Sequence, residues 1–227
     1  MKYLSVLASI LFSVTRSEAQ SADELVSKVK SKLERVNNYE ADAKLKTNVS
    51  FIKAPIANVK IYYIRPDKLK IINKNGISFI PRGTVNINLG SVIMNNKNFD
   101  IIDAGKDSQG LRIIKLLPKD DTADVVLSTL YIDEKNLLIK RSKTTTKENG
   151  TYELEMNYGK YSEYGLPDRI VFSFNTKEYK LPKGVTLDYD NGSKKNEERL
   201  KNKKGTIEIS YTSYIINRGA ATTTKSD

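Results

Sequence analysis

Apolar and polar residues alternate along most of the chain after residue 38, which is the pattern of strands with one buried face. Residues 59–72 (VKIYYIRPDKLKII) show it most clearly, with an apolar side chain at every second position of the first half: Val59, Ile61 and Tyr63. Pro66 fixes its own φ and lacks a backbone donor, so it predicts a turn between two strands. We expect a hairpin with one apolar and one cationic face, and with Arg65 beside its turn.

Residues 21–38 have a helical pattern instead. Ser21 and Glu24 form an S-x-x-E capping box, and the two asparagines at 37 and 38 provide a stop signal. The apolar residues between them fall on one helical face: Leu25, Val29, Leu33 and Val36. An amphipathic helix of this kind must cover an apolar surface supplied by the strands.

The rest of the chain predicts further short strands. The candidates are residues 41–49, 77–80, 99–103, 111–117, 125–133, 137–145, 152–161, 170–175 and 206–215, with a hairpin turn at 133–136. Residues 83–98 fit a strand, a short helix or a mobile flap equally well. Roughly ten short strands in one chain predict a sandwich or barrel rather than a parallel βαβ sheet.

The alternation within each strand also predicts which side chains share a face. Ten positions are expected to form one continuous apolar interior: Ala43, Leu45, Ile61, Tyr63, Leu69, Ile71, Leu154, Met156, Ile170 and Phe172. One helix cannot cover so large an apolar face. The uncovered part can enclose a cavity, or loops can fill it as an ordinary core, and the sequence leaves both alternatives open.

The N-terminal residues predict export. Lys2 precedes an apolar run at 3–14, and Ser17 and Ala19 put small residues at the positions that determine cleavage. This run is too short for a transmembrane helix, so residues 1–19 are interpreted as a cleaved signal peptide. We expect one domain at 20–218 and a disordered tail at 219–227.

Composition narrows the chemistry. The 227 residues include no histidine and no cysteine, which excludes a serine–histidine triad, a thiolate nucleophile, a disulfide and a lipid-modified cysteine. Carboxylate pairs occur at Asp120 with Asp121 and at Asp188 with Asp190, in loop-like contexts where exposed turn carboxylates are usual. A binding protein is therefore expected rather than an enzyme, with no cofactor and no metal.

The net charge of +11 at neutral pH suggests an acidic partner or an anionic surface. Nucleic acid is disfavoured, because the lysines alternate along strands instead of clustering with aromatic residues. Weak attraction to anionic lipid headgroups stays open. Residues 194–204 (KKNEERLKNKK) are interpreted as a solvated loop or short exposed helix.

Three segments in order carry a family resemblance: residues 24–45, 64–71 (IRPDKLKI) and 180–188 (KLPKGVTLD). Residues 130–141 and 165–174 add the pattern of a later hairpin and strand. The arrangement resembles the periplasmic outer-membrane lipoprotein carrier family, the LolA-like superfamily. The chain departs from that pattern because it lacks tryptophan, extends beyond residue 191 and shows no recognisable lid at 83–98.

The resemblance implies a mainly β fold, an unclosed and strongly curved antiparallel β-barrel whose helices cover an apolar cavity for acyl chains. It implies a soluble, monomeric periplasmic carrier that receives lipoprotein or lipid cargo from an inner-membrane ABC transporter and passes it to an outer-membrane receptor. By position, Arg65 would point toward the cavity and hydrogen-bond the lid. The alternative is a non-transporting domain of the same fold that binds or senses a lipid or peptide.

Overall fold

The computed structural model describes residues 21–48, 56–66, 68–73, 98–148, 150–175 and 204–219. Within these ranges there is one α-helix, α1 (Ala22–Leu33), and a 3₁₀ helix at Ser162–Tyr164. The strands are β1 (Asn38–Asn48), β2 (Ala57–Ile64), β3 (Lys68–Asn73), β4 (Phe99–Lys106), β5 (Arg112–Pro118), β6 (Val125–Asp133), β7 (Leu138–Thr146), β8 (Gly150–Asn157), β9 (Arg169–Asn175) and β10 (Lys204–Ile216).

The start of α1 follows from its capping residues. The Ser21 side chain accepts a hydrogen bond from the Glu24 backbone N–H at 3.1 Å, and acidic residues occupy the first turn. The helix ends at Leu33 with Glu34 as its C-cap, one turn before the predicted asparagine stop. Val36 lies beyond the helix and is nevertheless buried.

All ten strands belong to one antiparallel sheet in the order β3-β2-β1-β10-β9-β8-β7-β6-β5-β4. In the described part of the chain β3 and β4 are the two ends of this order, so the sheet does not close on itself. The predicted fold class, an unclosed antiparallel barrel partly covered by an N-terminal helix, is confirmed.

One predicted strand is too long. Residues 152–161 were expected to be extended, but β8 ends at Asn157. The chain then turns into the 3₁₀ helix, which Gly165 terminates at a φ of 69°. Glycine adopts this left-handed conformation without the steric cost of a Cβ atom. This turn brings Tyr158 and Tyr164 back over the sheet.

Several predictions concern residues outside the described ranges. They are the signal peptide at 1–19, the strand at 77–80, the segment 83–97, the 180–188 motif with Asp188 and Asp190, and most of the 194–204 and 219–227 segments. Among the described residues, no helix is long and apolar enough to span a bilayer.

The inner face of the sheet carries two clusters of buried apolar side chains. The first core cluster lies under α1 and across β5–β9, and it comprises Leu25, Val26, Val29, Ile114, Leu116, Leu130, Ile132, Ile139, Leu154, Met156, Ile170, Phe172 and Phe174. The second core cluster lies across β1, β2 and β10, and it comprises Val36, Ala41, Ala43, Val59, Ile61, Leu166, Ile209 and Tyr214. The candidate site is formed where these clusters meet.

Candidate functional site

A cavity of about 110 Å³ lies where the two core clusters meet, beside the C-terminal end of α1. Leu33 and Val36 border it from the helix end, strands β1–β3 and β7–β10 form most of its wall, and Tyr158 with residues 164–167 lines it from the turn between β8 and β9. Six of its lining residues are tyrosines: Tyr39, Tyr63, Tyr158, Tyr164, Tyr211 and Tyr214. Aliphatic side chains complete the wall, so the cavity is predominantly apolar.

The ten predicted interior residues divide between the cavity and the core. Six line the cavity: Ile61, Tyr63, Leu69, Ile71, Met156 and Ile170. Four do not: Leu154 and Phe172 belong to the first core cluster, Ala43 belongs to the second, and Leu45 packs against the second. All ten are buried or partly buried on the inner face, while their strand neighbours Lys44, Lys68 and Lys70 are exposed.

The two halves of α1 have different surroundings. Leu25, Val26 and Val29 are 0–1% exposed and belong to the first core cluster, which fixes the N-terminal half of the helix. Leu33 borders the cavity instead. Any opening of the cavity at the helix therefore requires movement only of its last turn and of the residues that follow.

The tyrosine rings pack on one another around the cavity. Tyr39 stacks on Tyr63 with ring centroids 5.1 Å apart, and Tyr211 stacks on Tyr214 at 4.9 Å. Tyr39 also meets Tyr214 edge-on at 5.2 Å. Such pairs stabilise a defined wall beyond the area they bury.

Three hydroxyl groups of this cluster donate hydrogen bonds to backbone carbonyls. Tyr214 donates to the Pro167 carbonyl at 2.7 Å, Tyr158 to the Ile139 carbonyl at 2.8 Å, and Tyr63 to the Pro66 carbonyl at 3.2 Å. Because these donors already have acceptors, their rings present apolar faces to the cavity. Burial raises the pKa of Tyr158 and of Tyr214, and burial together with Tyr211 raises that of Tyr39.

Burial raises the pKa of Tyr211 to about 12, which predicts a pH effect on stability. An unfolded tyrosine loses its proton near pH 10, so between pH 10 and 12 only the unfolded state is deprotonated. The stabilisation by this tyrosine is complete below pH 10 and is lost as pH rises to 12. We expect Tyr211→Phe to reduce the fall in unfolding free energy by about 2–3 kcal/mol. Urea titrations of the wild type and of Tyr211→Phe at pH 10 and at pH 12 measure this fall. An equal fall in the two proteins would contradict the prediction.

Arg65 lies at the end of β2, and its side chain is exposed and outside the cavity lining. Its Nη1 donates to the carbonyl of Glu34, the C-cap of α1, at 3.0 Å. Its backbone N–H donates to the Asn37 carbonyl at 2.8 Å. The last carbonyls of a helix have no partner within the helix, which makes them available to such donors. Arg65 therefore contacts the helix end beside the cavity rather than the cavity itself.

Asn217 holds the same segment from the end of β10. Its Nδ2 donates to the Arg35 carbonyl at 2.7 Å, and its Oδ1 accepts from the backbone N–H of Asn37 at 2.7 Å and, more weakly, from that of Asn38 at 3.4 Å. Its own N–H donates to the Asn38 carbonyl at 2.8 Å. Residues 34–38 thus lie between two polar clamps, Arg65 and Asn217.

Asp120 and Asp121, the described carboxylates among those considered for catalysis, are not part of the cavity lining, and Asp188 and Asp190 lie outside the described residues. Asp120 is exposed in a turn and accepts hydrogen bonds from the Thr122 hydroxyl and N–H, which lower its pKa. Asp121 is exposed in the same turn. In the ranges that the structure covers, no group of His, Cys, Asp or Glu is arranged to hold a metal ion.

Sequence reasoning did not assign Asn217 or several cavity residues. The alternation of Ile207, Ile209 and Tyr211 in β10 could have indicated its inner face. No local signal indicated Asn217, because its partners precede it by about 180 residues.

Comparison with solved structures places this arrangement in a known fold. An outer membrane lipoprotein-sorting protein domain from Vibrio parahaemolyticus superposes with a TM-score of 0.54 and 9% identity, over 88% of this chain and 94% of that one. A LolA superfamily protein from Nitrosomonas europaea gives 0.51 and 10%, over 88% and 95%. The chain has the LolA-like fold.

No protein-family model matches the sequence, and no curated protein matches it. At about 10% identity the two solved structures establish the fold alone. The function of the chain therefore has to follow from the cavity and from the helix end that borders it.

Proposed function

We propose that this protein is a periplasmic carrier that binds the acyl chains of lipoproteins or lipids in the cavity beside α1 and moves them toward the outer membrane. The observation that supports it best is an apolar cavity bordered by a helix end that the polar clamps Arg65 and Asn217 hold in place together with the buried Val36. The neighbour from Vibrio parahaemolyticus is described as a lipoprotein-sorting domain, which agrees with this proposal. Signal-peptide export and binding without catalysis are part of the same proposal.

In this structure the cavity is too small for a long ligand. Its volume of about 110 Å³ lies below the roughly 300–1,000 Å³ typical of small-molecule sites. An acyl chain therefore has to displace the last turn of α1 and residues 34–38, while the N-terminal half of the helix stays packed on the core. Removal of the cargo lets the Arg65 and Asn217 bonds form again, which favours release.

Filling the cavity should abolish loading. Ile71 lines the cavity from β3, whereas its neighbour Ile72 faces outward and is 41% exposed. We expect Ile71→Trp to occupy the space of the acyl chain, so that native mass spectrometry after incubation with palmitate shows at least about tenfold less bound ligand. Ile72→Trp is the matched control and should load like the wild type, because alternate strand residues face opposite sides.

Native mass spectrometry of the protein purified from periplasm tests the proposal itself. A carrier should retain acyl-bearing mass, and Ile71→Trp should lack it. Equal palmitate loading by the wild type and Ile71→Trp would remove the cavity from the binding site. Retention of lipid without delivery to acceptor membranes would favour the non-transporting binding or sensor domain. In this proposal an inner-membrane ABC transporter supplies the cargo and an outer-membrane receptor accepts it, and the protein docks to each in turn.

A further inference from the structure

The outer face of the sheet exposes isoleucines near β3. Ile64 on β2 is 56% exposed, and Ile72 on β3 and Ile215 on β10 are each 41% exposed. Polar residues normally occupy solvent-facing strand positions, and single exposed apolar side chains need no explanation, but contiguous ones indicate an interaction surface.

Ile64 and Ile72 are contiguous through Tyr62, and Ile215 lies two strands away from Tyr62, across Glu40. Tyr62 and Ile64 are successive outward positions of β2, and Ile72 lies diagonally from Tyr62 on β3, opposite Lys60. Glu40 on β1 pairs with Tyr62 on one side and with Ile215 on the other. We call Tyr62, Ile64, Ile72 and Ile215 the outer isoleucine patch.

Lysines surround the outer isoleucine patch. Lys68 lies opposite Ile64 and Lys70 opposite Tyr62, and both are exposed. Lys44 is exposed on the same face of β1, whereas Lys46 lies farther along that strand, opposite Glu208 of β10. Within the described ranges Lys44, Lys68 and Lys70 form no ion pair, whereas Lys60 is neutralised by Glu40.

A second group of exposed apolar residues provides the contrast. Ile102 and Leu117 face outward at the other end of the sheet. There Asp100 lies opposite Leu117 and forms an ion pair with Lys119 at 3.4 Å. Lys115 lies opposite Ile102, so that group has one lysine outside the ion pair. Of these two described groups, the outer isoleucine patch has the larger surplus of cations beside its exposed apolar side chains.

We propose that the outer isoleucine patch and its lysines dock the protein on the surface of anionic lipid bilayers. Lysine ammonium groups bind lipid phosphates, and isoleucine and tyrosine side chains fit the boundary between headgroups and acyl chains. The net charge of +11 attracts the chain to the same surface. Such docking is independent of the cavity ligand, and it would hold the protein where a lipid carrier collects or releases its cargo.

Cosedimentation with lipid vesicles tests the docking. The chain from Gln20 onward is used, because residues 1–19 could insert into vesicles on their own. We expect binding to vesicles of phosphatidylglycerol and phosphatidylcholine in equal parts, little binding to phosphatidylcholine alone, and weaker binding at high salt. Absence of binding to the anionic vesicles overturns the proposal.

Matched substitutions separate the patch from overall charge. Lys68→Gln with Lys70→Gln should lower the vesicle partition coefficient about 30-fold, since each lysine near an anionic surface contributes about fivefold. Lys115→Gln with Lys135→Gln removes the same charge from exposed positions of β5 and the β6–β7 turn. This control pair should change the partition coefficient less than about twofold. An equal loss in both pairs would show that net charge alone causes binding.

The apolar contribution has its own control. Ile64→Ser with Ile72→Ser should reduce binding to anionic vesicles at low and high salt, whereas Ile102→Ser with Leu117→Ser should not. If the Ile64 and Ile72 variant binds like the wild type, the outer isoleucine patch serves another partner, such as an acidic protein surface. Because palmitate loading by the same variants is measured separately, loss of docking and failure of the carrier proposal can be distinguished.

Discussion

Replacing Arg65 by leucine is expected to give a folded protein that takes up acyl cargo but does not pass it on. The substitution removes the bond from Nη1 to the Glu34 carbonyl and keeps the backbone bond from Arg65 to Asn37. A hydrogen bond from a charged group contributes about 1.5–3 kcal/mol, and less where water competes, as it does at this exposed side chain. The closed, empty state loses that stabilisation.

Loss of the closed state changes the balance between uptake and release. Cargo binding requires the helix end to move away, so every bond of the closed state opposes loading and favours release. A loss of about 1.4 kcal/mol changes the equilibrium constant between the closed and the loaded state about tenfold. We therefore expect delivery to slow by about that factor, while palmitate loading is equal or better.

Transfer of a fluorescent fatty acid from the loaded protein to acceptor vesicles measures this effect. Arg169→Leu is the matched control, because it removes one arginine whose partner is Glu208 on the outer face. That variant should deliver at the wild-type rate. Delivery at the wild-type rate by Arg65→Leu would instead return Arg65 to the role of a solvated residue at a strand end.

Local sequence patterns predicted the parts of the fold that depend on local interactions. Ser21 and Glu24 set the start of α1 because a cap requires only residues three positions apart. The alternation in β2 and β3 correctly assigned Ile61 and Ile71 to the inner face, since successive side chains of a strand point to opposite sides. The fold class was obtained from the number of strands together with the family resemblance.

The tyrosine wall could not be predicted from alternation. Tyr211 and Tyr214 are three positions apart, which places them on opposite faces of a regular strand. In the structure Tyr211 pairs with Ala43 and Tyr214 with Ala41, because a bulge at Thr212 shifts the register. The Thr212 hydroxyl donates to the Asp42 carbonyl at 2.9 Å there. A bulge depends on the partner strand, which is about 170 residues away in the sequence.

The two polar clamps, Arg65 and Asn217, also differ in whether the sequence indicated them. The family resemblance indicated Arg65, although it implied a side chain pointing into the cavity and the structure shows one that contacts the C-cap of α1. Asn217 had no signal, because asparagine after a strand normally indicates a turn. Its role depends on β10 and β1 pairing antiparallel, which brings the end of β10 to the start of β1.

Asn217 is expected to be as important as Arg65 for closing the cavity. Its φ of 53° is in the left-handed region, where glycine is unstrained and alanine is not. Asn217→Gly therefore removes the side-chain bonds without adding strain. The two bonds at 2.7 Å contribute about 0.5–1.5 kcal/mol each, so we expect the free energy of unfolding to fall by about 1–3 kcal/mol. Asn217→Ala should lower the free energy of unfolding by about 1 kcal/mol more than Asn217→Gly, because it also strains the backbone.

Hydrogen exchange locates the effect within the chain. The amides of Glu34 and Arg35 bond to carbonyls of the last turn of α1, so Asn217→Gly should increase their exchange rates. The amide of Val29, whose side chain belongs to the first core cluster, should keep its protection relative to global unfolding.

Delivery of the fluorescent fatty acid by Asn217→Gly should slow, as for Arg65→Leu. Because both residues hold residues 34–38, the double variant should depart from the sum of the single effects. Destabilisation with normal delivery and unchanged exchange at Glu34 would show that Asn217 only anchors the end of β10.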